Sequence, residues 1–199
     1  GMPIDENMTM WATFTDYVNV YSVVGGLAVV LLTLVHGLTF IGLRTTGPVH
    51  TRALALLNKV YFALFGGLVV FAVLTYFNTD LFTVRPVATP VFLVCIVLAA
   101  VLGFIFANKG KEGWAFTMSG LTIVLTVAML FVGLFPRVMI SSIDPAFNLT
   151  IDNAASGQYT LSLMTKISLT LLPFVLGYQI WSYYIFRKRI SHKDTVNYE

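Results

Sequence analysis

Two ionisable side chains, His36 and Lys166, stand inside the long apolar runs of this sequence, and no Asp or Glu joins them there. In a bilayer such a group costs free energy unless it is paired or reaches water, so each is a candidate for function. His36 lies two turns before Arg44. Its imidazole has three open uses: ligating a haem, relaying a proton, or hydrogen-bonding a neighbouring helix. Lys166 is followed by ISLTLLPFVLGYQIWSYYIF, itself long enough to span, so its amine can sit at the outer boundary and snorkel. It can instead face an internal cleft and meet an anionic lipid, a partner carboxylate or a quinone oxygen. Without intramembrane carboxylates these runs hold no relay of the kind ion-coupled carriers use, and one intramembrane histidine cannot supply a two-histidine haem site. There is no CxxCH, Gly-rich phosphate loop or carboxylate pair. The lone Cys95 sits mid-run as a packed thiol. No catalytic residue, metal ligand or cofactor is therefore expected of this chain on its own.

The elements that must carry these residues follow from composition. Hydrophobic residues make up 57% and charged residues 11%, with a mean hydropathy of +0.83, too little polar surface to coat a soluble particle of 199 residues. The net charge of +3 falls in short clusters between apolar runs, not in a stripe, so nucleic acid is not an expected partner. Cutting the chain at its charges leaves five runs long enough to cross a hydrocarbon core as helices, at residues 17–43, 58–78, 87–108, 114–135 and 159–186. They lack the period-two alternation of barrel strands. The fold class is an all-α integral membrane bundle of five transmembrane helices in a single domain, residues 1–199. Gly25, Gly26, Gly66 and Gly67 mark two faces for close helix approach. Pro173 is expected to kink the last span.

Arg44, Arg52, Lys59, Lys109, Lys111, Arg187, Lys188, Arg189 and Lys193 fall on one side of these spans, and only Arg85 and Arg137 on the other. By the positive-inside rule the N-terminus is outside and the C-terminus cytoplasmic. No basic n-region precedes the first span, and the acidic opening segment reads like a piece of a longer chain.

Residues 136–157, between the last two spans, are unusually punctuated. Pro136 stops a span, Ser141, Ser142, Asp144 and Pro145 make a turn whose carboxylate can accept backbone N–H bonds, Asn148 follows, and DNAAS can start a short helical turn before Gly157. We expect a structured extracytoplasmic cap here. Its Met139, Ile140, Ile143 and Phe147 would insert into the headgroup boundary or against a partner.

The sequence FPRVMISSIDPAFNLT, the later Ala, Ser, Gln, TL and MT, the mid-span Pro173 and the terminal WSY resemble subunit II of the cytochrome bd quinol oxidases. The likeness extends to GWAF at residues 113–116 and to LRTTGPVHTR after the first span, a cytoplasmic loop motif that includes Arg44, Thr45, Gly47 and Arg52. It implies a respiratory complex of the bacterial cytoplasmic membrane that oxidises quinol and reduces dioxygen to water. It further implies that haem b558, haem b595 and haem d are held by subunit I, the principal partner, with this chain as a non-haem helical support. Subunit II is about twice this long in the family. The resemblance thus places the chain as its C-terminal half and makes the N-terminal half another partner. Membrane lipid, a bound quinone and a small accessory subunit are compatible with it. From the residues alone, half of a small carrier or channel, or a redox-inactive scaffold, remain the alternatives.

Overall fold

The computed structural model describes residues 1–188. In chain order it contains α1 (Phe14–Tyr17), α2 (Val20–Arg44), α3 (Pro48–Asn78), α4 (Leu81–Val84), α5 (Ala88–Asn108), α6 (Glu112–Leu134), β1 (Arg137–Met139), a one-turn 3₁₀ helix (Pro145–Phe147), β2 (Leu149–Thr150) and α7 (Gln158–Ile185). Helices α2, α3, α5, α6 and α7 are long and apolar enough to cross a membrane, the number read from the sequence. Arg189 and Lys193 lie outside the described residues.

The helix ends depart from the expected spans for local reasons. The first span begins at Val20 and not at 17, because Asn19 caps it: its side chain accepts from Ser22 N–H while the Ser22 hydroxyl accepts from Asn19 N–H. The second begins at Pro48, well before 58. Gly47, at φ 74°, reverses the chain, and Pro48 opens the helix where its missing N–H costs nothing. The segment read as a cytoplasmic loop is thus mostly helix. Arg44 closes α2, Arg52 lies within α3, and only Thr45, Thr46 and Gly47 connect them. Charges mark where lipid ends, which is not where backbone hydrogen bonding ends. The expected helical turn at DNAAS is a non-helical turn, and the short helix forms instead at Pro145–Phe147. The all-α expectation also missed the antiparallel ribbon, which pairs Arg137 with Thr150 and Met139 with Leu149.

Helix α5 packs along α6, α2 along α3, and α2 against α6. Leu32, Val35, Leu38, Ala53, Leu57, Tyr61, Leu64, Ala107 and Ala115 form the buried cluster. A Cβ at Gly25 would meet Phe71 at 3.5 Å and one at Gly67 would meet Leu31 at 3.2 Å, so these two glycines serve the α2–α3 contact; Gly26 and Gly66 face open space. A close approach also joins α3 and α5. The Tyr61 hydroxyl lies 2.6 Å from where a Cβ on Gly103 would stand, so glycine is what lets these two helices meet. Helix α7 carries Pro173 without interruption and stands apart: no residue of its apolar window is buried. It meets the others near the Arg44 end, where Tyr183 approaches Phe40 edge-on and Arg44 donates to the Arg187 carbonyl.

Candidate functional site

His36 sits on α2 against α6. Its Nδ1 is 2.9 Å from the Ser119 hydroxyl, which is also 3.1 Å from the Thr39 hydroxyl, and its ring stacks on Phe116 with centroids 4.4 Å apart. Ser119 and Thr39 are buried, and each hydroxyl also donates to a carbonyl of its own helix, at Phe116 and His36. A Cβ on Gly120 would stand 3.4 Å from the imidazole, so one glycine of α6 receives the ring edge. Periodicity gave no hint of Ser119, because a hydroxyl that can bond its own helix looks neutral in an apolar run. Of the other histidines, His50 is paired through Nε2 with Glu112, tying the start of α3 to the start of α6, and His192 lies outside the described residues.

Lys166 is exposed on α7 and its amine has no partner among the described residues; its carbonyl accepts from the Thr170 hydroxyl at 2.8 Å. The structure does not bring Lys166 and His36 together.

The polar stretch after α6 is densely hydrogen-bonded. Ser141 N–H donates to Asn148 Oδ1 at 2.7 Å, the buried Ser141 hydroxyl donates to the Ile4 carbonyl at 2.9 Å and accepts from Ile143 N–H at 3.1 Å, and Asp144 accepts from Ala146 N–H at 2.7 Å. Pro145 opens the 3₁₀ turn, the Pro136 carbonyl accepts from Ile151 N–H at 3.0 Å, and Ser142 contributes its backbone N–H to the Met2 carbonyl at 2.8 Å. The N-terminal arm was not foreseen as part of this unit. Met2 bridges Ser141, Ile4 is 0% exposed beneath the stretch, and Asp5 organises the arm by accepting from Thr9 and Asn7 N–H and from the Trp11 indole. Those bonds, the Thr9 amide foremost, hold the Asp5 carboxyl below its ordinary pKa. Met139, Ile140 and Phe147 are half-buried, whereas Ile143 is exposed.

Two arginines fasten this unit to the helices. Arg137 holds Asp80 through both terminal guanidinium nitrogens, at 2.5 and 3.0 Å, and Arg85 donates to the Phe135 carbonyl at 2.9 Å. The Arg137 hydrogen bond lowers the Asp80 pKa, outweighing the opposing effect of partial burial. Their opposite charges on the same side of the spans were the available signal. Beneath them, between the ends of α2, α3 and α6, lies a cavity of about 970 Å³, with Asp16, Asn19 and Asp80 at its polar rim and Phe71, Leu32 and Leu130 in its apolar wall.

No group of three or more His, Cys, Asp or Glu suited to a metal occurs among the described residues. His36 is engaged through Nδ1 by Ser119 and through its ring face by Phe116, and His50 through Nε2 by Glu112. These features define a polytopic helical membrane protein. The chain belongs to the cytochrome bd terminal oxidase subunit II family, whose profile matches residues 1–186. It is 49% identical over 198 residues to cytochrome bd ubiquinol oxidase subunit 2 of Bacillus subtilis (strain 168), covering 100% of this chain and 59% of that protein. To cytochrome bd-I ubiquinol oxidase subunit 2 of Escherichia coli (strain K12) it is 28% identical over 228 residues, covering 98% of this chain and 60% of that protein. A probable cytochrome oxidase subunit 2 of Haemophilus influenzae is 25% identical over 215 residues, covering 92% and 57%. The chain therefore spans about three-fifths of the length of these relatives.

Proposed function

We propose that this chain is the C-terminal part of the non-haem subunit of a bacterial cytochrome bd-type quinol:dioxygen oxidoreductase, and that it supports assembly and stability of the haem-bearing subunit I in the cytoplasmic membrane. The observation that carries the reading is the family match over residues 1–186. The bond from His36 to Ser119 supports it, since it gives the imidazole a structural use as a link between α2 and α6; haem b558, haem b595 and haem d belong to subunit I in this reading. The remaining length of the relatives supplies the N-terminal half as a partner. In this reading residues 136–157 and the N-terminal arm form the extracytoplasmic cap, with Arg44, Arg52 and Lys59 at the cytoplasmic side. The 970 Å³ cavity, polar at its rim and apolar within, suits the head and tail of a quinone or a lipid.

The experiment is His36→Ala in the full-length subunit, co-expressed with subunit I. The purified complex should keep every haem absorbance band at the parent ratio to protein and keep quinol oxidase activity, though with lower yield, because Ser119 loses one of its two partners on α2 and keeps only Thr39. Loss of one haem band from an otherwise assembled complex would make His36 a ligand and overturn the reading.

A further inference from the structure

Arg44 ends α2 with more donors than the described residues satisfy. One terminal nitrogen donates to the Arg187 carbonyl, Nε is buried without a partner among the described residues, and the guanidinium carbon lies 5.7 Å from the Phe40 ring centroid. The next cation, Arg187, lies 3.8 Å over the Tyr184 ring. Neither has a carboxylate partner among the described residues. Beside Arg44, between α2 and α7, opens a cleft of about 260 Å³ lined by Phe40, Arg44, Gln179, Ser182, Tyr183 and Phe186. It thus combines a guanidinium, an amide and a hydroxyl with three aromatic walls.

Its depth constrains the occupant. The residues of α2 before Arg44 are apolar over the length of a hydrocarbon core, so Arg44 stands where acyl chains give way to headgroups. Guanidinium forks match phosphate oxygens in pairs, and a cation at this level attracts anionic lipid. We infer that the α2–α7 cleft binds the phosphodiester of an anionic phospholipid. Arg44 grips the phosphate oxygens, Gln179 and Ser182 donate to the headgroup, and Phe40 and Phe186 pack on the glycerol and upper acyl chain. This needs only that the helices span a bilayer, and is independent of the oxidase assignment.

The test uses the full-length subunit in nanodiscs of phosphatidylcholine doped with phosphatidylglycerol, with native mass spectrometry counting the phosphatidylglycerol retained on release. Arg44→Ala should lose one retained phosphatidylglycerol relative to the parent. Ser182→Phe, which fills the cleft but keeps the arginine, should lose the same lipid, and it decides the matter if Arg44→Ala does not fold. Arg52→Ala, an exposed cation on the same side, should retain it. Excess inorganic phosphate should leave the count unchanged. Equal retention by the parent and both cleft variants would overturn the proposal, and displacement by inorganic phosphate would replace the lipid with a free anion.

Discussion

The Tyr61–Gly103 contact is a single-residue constraint on how closely α3 and α5 can meet. Tyr61 is 1% exposed, its hydroxyl has no hydrogen-bond partner among the described residues, and Gly103 gives way to it. Gly103→Ala should therefore destabilise the protein by about 1–3 kcal/mol, the usual cost of overpacking a filled core. Tyr61→Phe removes both the clash and a buried polar group that no described residue satisfies, so it should be neutral or stabilising alone and should rescue Gly103→Ala. Melting temperatures of the two single variants and the double variant in detergent check this. An additive pair, with no rescue, would show that the hydroxyl does not set the α3–α5 approach. None of this was legible in the sequence, where Tyr61 is one aromatic in an apolar run and Gly103 one small residue among many.

At the scale of elements, the Asp80–Arg137 clasp joins the α3–α4 turn to β1 and gives the fold a pH dependence. The folded-state pKa of Asp80 is depressed by Arg137, so its contribution is present above the unfolded value of about 4 and is lost as pH falls through the lower folded value. Melting temperature should fall as pH drops below about 4, and Asp80→Asn should flatten that slope while lowering stability near neutrality. An unchanged slope would assign the acid sensitivity elsewhere. The segment above the clasp gives a second prediction. Replacing residues 141–148 with a Gly/Ser linker of equal length removes the bonds of Ser141, Asp144 and Asn148 together, at about 1 kcal/mol each. The linker variant should melt lower and, in the full-length subunit, retain less haem in the complex. Unchanged melting and haem content would reduce the segment to a connector. The punctuation by Pro136, Asp144 and Pro145 made this unit visible in the sequence. Its partner was not, because the arm reaches it through Met2 and Ile4 backbone groups across most of the chain's length, and backbone pairing leaves no mark on residue type.

For the whole molecule, the five spans were readable because hydropathy reports directly on lipid, whereas the arrangement of the helices was not, since lipid-facing and helix-facing residues are both apolar. Direction across the membrane is our proposal from the distribution of Lys and Arg, with the N-terminus outside. In a Cys95→Ser background, a cysteine at Asn148 should react with an impermeant thiol reagent in intact cells and one at Thr51 only after lysis; labelling of position 51 alone from outside would invert the orientation. The near-isolation of α7 bears on mechanical behaviour. A steady pull on the carboxyl-terminal end of the chain alone would draw α7 out as a separate low-force event, resisted by lipid and by the Phe40–Tyr183 and Arg44–Arg187 contacts. The helix pairs α5–α6 and α2–α3 would then yield at a higher force, giving two rupture peaks where a fully packed bundle would give one.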